Sequence, residues 1–170
     1  MDYQPNLFNP TLHPRAWLCY AWVLGALLCV IGCDSRRVYD TFSDVGDEQG
    51  WTYKQTMPFS TDIADTVTRY NIYVNVRHTD DFSYSNLWVK LYTTFPSGKR
   101  IENRVNLPLA DKSGKWFGEG SGDVITAQVP IQESAKMPEK GAYRFEIAQD
   151  MRQNPLTNIL AIGIRIEQAE

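Results

Sequence analysis

Beyond residue 50, the sequence alternates between apolar and polar residues with a period of two. The clearest stretch is Arg69–Arg77, in which every second residue is apolar: Tyr70, Ile72, Val74 and Val76. Asn86–Phe95 repeats the pattern, with one side formed by Leu87, Val89, Leu91 and Thr93 and the other by Trp88, Lys90 and Tyr92. Because successive side chains of a strand point to opposite faces, these stretches are predicted to be β-strands with one buried face.

Weaker alternation extends this prediction along the chain. It predicts further strands at Trp51–Phe59, Arg100–Leu107, Asp123–Ile131, Ala142–Ala148 and Ile159–Glu167. Turn residues separate them, as at Pro96-Ser97-Gly98. Short strands with frequent turns predict an all-β domain over residues 51–170, an antiparallel β-sandwich of the jelly-roll or immunoglobulin-like kind. Helix is expected only as one or two turns, at Asp62–Val67 and Gln132–Met137.

The N-terminal part carries a different signal. An apolar run begins at Ala16 and ends at Val30-Ile31-Gly32-Cys33, which has the form of a bacterial lipobox. This pattern predicts a signal peptide over residues 1–32, cleavage after Gly32, and attachment of acyl chains to the Cys33 thiol. The alternative is an uncleaved anchor, whose apolar run over residues 16–32 is near the lower length limit for spanning a bilayer.

Cysteine usage agrees with export and lipidation. Of the three cysteines, Cys19 and Cys29 lie in the segment to be removed, so Cys33 is the single thiol of the mature chain and no disulfide is expected. Residues 33–50 are mostly polar. They are predicted to form the lipidated N-terminus and a tether, followed by a short edge strand.

Composition argues against most enzymatic and nucleic-acid functions. The formal net charge of −3 lacks the basic excess of a nucleic-acid surface. After cleavage His78 is the one histidine, expected to be solvated at a strand end, so neither a nucleophile–histidine pair nor a His/Cys metal cluster is predicted. Carboxylates suited to glycoside hydrolysis are only generic. We therefore expect no enzyme activity, no catalytic residues, no metal and no cofactor.

Aromatic residues offer the best candidate binding surface. Trp88 and Tyr92 fall on the strand face opposite Leu87 and Val89, and Trp116 lies in a glycine-rich loop. Exposed aromatic rings bind sugars or partner proteins, so these three residues are a candidate partner or glycan surface. The alternative is that they fill a second small core.

The order of short motifs along the chain resembles the gliding motility lipoprotein family GldH of the Bacteroidetes. The motifs are Tyr70-Asn71-Ile72, Tyr84-Ser85-Asn86-Leu87-Trp88, Pro96-Ser97-Gly98, Gly114-Lys115-Trp116-Phe117-Gly118, Gly141-Ala142-Tyr143 and Gly163-Ile164-Arg165. The resemblance implies a non-catalytic envelope lipoprotein that supports surface gliding and the associated protein-export machinery. It carries over one functional residue, the acylated Cys33.

Localisation and partners follow as expectations. Asp34-Ser35-Arg36-Arg37 is basic, unlike the acidic run associated with surface export in this phylum, so the domain is expected in the periplasm, on the outer membrane or alternatively the inner one. The expected partners are the membrane, through the acyl chains, and proteins of the motility or secretion apparatus. A glycan is the alternative partner.

Overall fold

Two strands in the middle of the chain show why it folds as a sandwich. The computed structural model describes residues 36–45 and 50–170. In β3 (Arg69–Thr79) and β4 (Asn86–Thr94), the predicted inner residues are all buried. Each strand therefore has one apolar face that must be covered. The two strands belong to different sheets, and their inner faces contribute to one shared core.

The described residues form nine strands in two antiparallel sheets. The remaining seven strands are β1 (Arg37–Asp44), β2 (Thr56–Ile63), β5 (Arg100–Pro108), β6 (Glu119–Ser121), β7 (Val124–Lys136), β8 (Gly141–Gln149) and β9 (Ile159–Gln168). The five-stranded sheet has the order β1-β9-β3-β7-β6, and the four-stranded sheet has the order β2-β8-β4-β5. The all-β sandwich predicted from the sequence is confirmed.

The strand order identifies the kind of sandwich. Consecutive strands alternate between the sheets, except at the β4–β5 and β6–β7 hairpins. Chain neighbours such as β1 and β2 therefore lie in opposite layers, and the last strand, β9, pairs with both β1 and β3. This arrangement is that of a jelly roll, one of the two kinds left open by the sequence.

The seven strands predicted from the alternation are present, with shifted ends. The largest difference is at the segment predicted to start at Trp51, because β2 begins only at Thr56. Trp51 instead forms an isolated bridge with Leu156, and its indole N–H donates to the Gln55 carbonyl over 2.9 Å. The side chain is 0% exposed, so Trp51 belongs to the core without belonging to a long strand.

Both expected helical turns are wrong. Asp62 and Ile63 end β2, and residues 132–136 continue β7. The register between β3 and β7 shifts around Ile72, which is the signature of a bulge. This shift breaks the alternation of apolar and polar residues in the second half of β7. Ser134 has a φ of 50°, and its N–H donates to the Asn71 side-chain oxygen. That side-chain bond satisfies the backbone at the irregularity, so the strand continues past it.

A strand also lies within the segment 33–50. β1 pairs with β9 from Arg37 opposite Glu167 to Asp44 opposite Ala161. The five-stranded sheet thus includes residues that precede position 51. On its outer face, the Phe42 ring lies against Gly163, where an added Cβ would be 3.1 Å from the ring.

Candidate functional site

The predicted lipidation site cannot be placed in the fold, because Gly32 and Cys33 lie outside the described residues. The first described residue, Arg36, is three positions beyond Cys33 and immediately precedes β1. Within residues 36–45 and 50–170, no helix is long and apolar enough to cross a membrane. Cleavage after Gly32 and acylation of Cys33 remain predictions.

Trp88 and Tyr92 lie on the outer face of the four-stranded sheet. Both belong to β4, and both are half-buried, whereas the residues between them on the inner face are buried. In the β4–β5 hairpin, Trp88 is opposite Asn106 and Tyr92 is opposite Glu102. The two rings therefore share one surface, about four strand positions or ~13 Å apart along β4.

Two arginines of β5 stack on these rings. The Arg104 guanidinium carbon is 4.1 Å from the centroid of the Trp88 ring, and that of Arg100 is 4.3 Å from the Tyr92 centroid. Such cation–π contacts contribute about 0.5–1 kcal/mol at exposed sites. They also mean that a sugar or a partner side chain reaches the covered face of either ring only by displacing the arginine.

The same arginines are held by carboxylates. Arg104 Nε lies 2.6 Å from Asp150 Oδ2, and Arg100 Nη2 lies 3.2 Å from Glu146 Oε2. Lys90, between the two rings, pairs with Asp150 and Glu102 at 3.9 and 3.7 Å. These groups are partly exposed, so each pair is worth at most about 1 kcal/mol. The result is an outer face of alternating, mutually neutralised charges around two aromatic rings.

Trp116 lies elsewhere. It closes a small hairpin in which it bridges Ala110, and the Asp111 N–H donates to the Lys115 carbonyl over 2.9 Å. The Asp111 carboxylate accepts hydrogen bonds from the Ser113 hydroxyl and from the backbone N–H groups of Lys115 and Ser113, and these bonds lower the pKa of Asp111. The hairpin places the Trp116 ring against the core. Trp116 therefore does not join the surface formed by Trp88 and Tyr92.

The Trp116 ring covers His78. The prediction that His78 is exposed to solvent at a strand end is therefore wrong. His78 is 0% exposed, its ring centroid is 4.7 Å from that of Trp116, and Phe82 packs on another side. His78 Nδ1 lies 2.8 Å from the Thr79 carbonyl oxygen, which can only accept, so Nδ1 carries the proton. Nε2 is buried with no hydrogen-bond partner. Burial lowers the pKa of His78, so the ring is neutral at pH 7.

The described part of the chain shows no further chemical centre. Within residues 36–45 and 50–170, no three His, Cys, Asp or Glu side chains are grouped so that they could hold a metal ion. The sequence reasoning missed two residues of the candidate surface, Arg100 and Arg104, which cover the rings of Tyr92 and Trp88. A signal for them existed: the turn at Pro96-Ser97-Gly98 sets the hairpin register, which brings these β5 residues beside the outer residues of β4.

Comparison with known proteins identifies the family. The sequence model of the family described as GldH lipoprotein matches residues 37–166, which is the whole sandwich except its last few residues. A gliding motility lipoprotein GldH homolog from Christiangramia forsetii is 32% identical over 145 residues, covering 81% of this chain and 88% of the relative. Gliding motility lipoprotein GldH from Flavobacterium johnsoniae is 27% identical over 155 residues, covering 87% and 95%. The chain belongs to the GldH lipoprotein family, as the motif order indicated.

Solved structures resemble the chain only weakly. A carbohydrate-binding module specific for non-crystalline cellulose superimposes with a TM-score of 0.39 and 5% sequence identity, covering 77% of this chain and 73% of that one. Likeness at this level gives no argument about the binding function of the present chain.

Proposed function

We propose that this protein is a non-catalytic accessory lipoprotein of gliding motility, which docks proteins of the motility apparatus and its associated export machinery. The observation that carries the proposal is the family match over residues 37–166 together with relatives named for gliding motility. The lipobox at Val30-Ile31-Gly32-Cys33 supplies the anchor. A sandwich with two sheet faces and open strand edges is suited to docking.

In this proposal the mature chain begins at Cys33, and acyl chains on that residue hold it on the outer membrane, facing the periplasm. Two or more acyl chains give stable anchoring, whereas one binds reversibly. Only a few residues separate Cys33 from β1, so the sandwich sits close to the membrane surface. The inner membrane is the alternative location.

The anchor is tested by fractionation. We expect a Cys33→Ala variant to lose membrane retention and metabolic labelling by palmitate, whereas the matched control Cys29→Ala, altered in the segment predicted to be removed, keeps both. Lipidation at Cys33 would be contradicted if Cys33→Ala stayed in the membranes and both variants were still labelled by palmitate. Separation of inner and outer membranes on a density gradient then distinguishes the two locations.

The docking role is tested in native membranes. The lipidated protein carries an affinity tag, and it is crosslinked to its neighbours and then captured. We expect this capture to enrich motility or secretion components relative to a control capture from cells that express the untagged protein. Recovery of the lipoprotein alone would contradict the docking role while leaving the anchor intact.

Binding of a glycan is a second candidate function. The observation that favours it is the pair of rings, Trp88 and Tyr92, on one outer face. Ala substitution of either ring is expected to abolish retention on an envelope glycan. Trp116, the third residue of the predicted surface, packs on His78 instead, so Trp116→Ala is expected to leave retention unchanged. Phe117→Ala is the matched control, because Phe117 is exposed but belongs to neither β4 nor β5. Unchanged retention of Trp88→Ala and Tyr92→Ala counts against glycan binding.

A further inference from the structure

An apolar groove opens between the two sheets on the side where β5 and β7 are neighbours. It has a volume of about 180 Å³ and is lined mainly by apolar side chains, among them Leu91, Phe95, Ile101, Ile131 and Phe145. An apolar cavity of about 150 Å³ takes a molecule the size of benzene. The groove is therefore sized for one or two apolar side chains and is too small for a long acyl chain.

The backbone of β5 borders this groove, and its hydrogen-bonding pattern can be worked out from the two ends of the hairpin. The Phe95 N–H donates to the Lys99 carbonyl, and the Leu109 N–H donates to the Ser85 carbonyl. Bonded and non-bonded pairs alternate along an antiparallel ladder. With the β4–β5 register regular throughout, the odd-numbered residues of β5 bond to β4. The even-numbered residues, Arg100 to Asn106, direct their N–H and C=O groups toward the open edge.

This edge differs from the other sheet edges in the described part of the chain. At the opposite edge of the same sheet, β2 contains Pro58, which lacks an N–H group. The other sheet has two edges. At one of them the pairing of β1 is interrupted by a register shift between Arg37 and Tyr39. At the other, β6 has three residues, and beyond it the edge of β7 contains Pro130 and a shifted register. β5 has nine residues, no internal proline and no bulge. A long, regular edge is a template for pairing with another strand.

Charge around the groove points to the chemistry of a ligand. Lys136 is the one charged side chain among the described residues that line it, and it has no ion pair within residues 36–45 and 50–170. The charges of β5 itself are already neutralised, since Arg100 pairs with Glu146 and Glu102 with Lys90. A carboxylate on the bound molecule would therefore meet Lys136 without an internal competitor.

We propose that the β5 edge and the adjoining groove bind an extended peptide segment of a partner protein. The segment adds a strand beside β5, places alternating apolar side chains into the groove, and carries an acidic residue at the Lys136 end. In this mode main-chain hydrogen bonds supply affinity, and the pockets for alternate side chains supply specificity. The inference rests on the docking role proposed above and names its surface and the kind of segment that fits it.

The test combines an edge-blocking variant with a photocrosslinker, in the full-length lipidated protein in native membranes. Glu102→Pro removes an outward N–H without touching a β4 bond, whereas the matched control Glu102→Ala keeps that N–H. We expect capture of the partner to fall about tenfold with Glu102→Pro, the worth of one lost hydrogen bond, and to change less than twofold with Glu102→Ala. Circular dichroism of both variants verifies that the sandwich is folded.

The crosslinker, p-benzoylphenylalanine, replaces Ile101 at the groove and, as a control, Ser60 on the opposite edge. We expect Ile101 crosslinks, but not Ser60 crosslinks, to map to a partner segment with alternating apolar residues and an acidic one. Crosslinks from Ile101 to lipid, or to a second copy of this chain, would overturn the proposal, as would equal capture by Glu102→Pro and Glu102→Ala. If all variants capture the partner equally, the docking role is supported but the β5 edge is not its binding surface. Capture of no partner by the unmodified protein refutes both.

Discussion

Burial of His78 makes the stability of the sandwich depend on pH in a defined window. In the folded protein the ring is covered and neutral, and its pKa is lowered by burial from the ordinary 6.5. Below pH 6.5 the unfolded chain binds a proton that the folded chain does not, so the free energy of unfolding falls as the pH falls. The loss is at most about 1.4 kcal/mol between pH 7.5 and pH 5.5, since one pKa unit corresponds to about 1.4 kcal/mol.

Urea denaturation at pH 7.5, 6.5 and 5.5 measures this loss, using the chain from Asp34 onward and circular dichroism as the probe. His78 is the one histidine in that chain, and carboxylates titrate mainly below the window. His78→Gln, which keeps a donor for the Thr79 carbonyl, is expected to abolish the dependence, and Trp116→Ala to weaken it by admitting water to the ring. An equal loss in His78→Gln, or no loss in the unmodified chain, would refute the reasoning.

Two further predictions concern stability. Trp51→Ala is expected to lower the free energy of unfolding by about 3–5 kcal/mol, because it empties a fully buried site, and urea titration followed by circular dichroism measures this. A decrease below about 1 kcal/mol would mean that Trp51 is not part of the core. Gly50→Ala is expected to cost more than Gly98→Ala: both glycines have positive φ, but only at Gly50 would the new Cβ lie 2.6 Å from a backbone oxygen. Equal melting temperatures for the two variants would contradict this contact.

The fold could be predicted from the sequence to the extent that its signals are local. The faces of β3 and β4 follow from alternation, and the turn at Pro96-Ser97-Gly98 follows from its residue types. The role of Trp51 had no local signal, because its bridge partner Leu156 lies near the other end of the chain. The continuation of β7 past residue 131 was also missed, since the bulge at Ser134 is stabilised by a side chain of another strand.

The candidate site shows the same division. The shared face of Trp88 and Tyr92 follows from their parity in β4 and was correctly inferred. His78 has the same parity as the buried residues of β3, so its burial could have been predicted, but the polar residues after it suggested solvent. The contact of His78 with Trp116 depends on the path of a separate hairpin, and that path cannot be predicted from the alternation of apolar and polar residues. The β5 edge became visible only with the order of the strands.

The position of β1 determines how a mechanical load reaches the sandwich. β1 is an edge strand, it is antiparallel to β9, and the chain toward the proposed anchor leaves from its N-terminal end. A pull on the anchor along the strand axis loads the ladder from Arg37 to Asp44 in shear, so its hydrogen bonds must break together. A pull across the sheet would open the same ladder one bond at a time. If the chain is anchored and docks the motility apparatus as proposed, the direction of force therefore decides whether the ladder between β1 and β9 holds or opens.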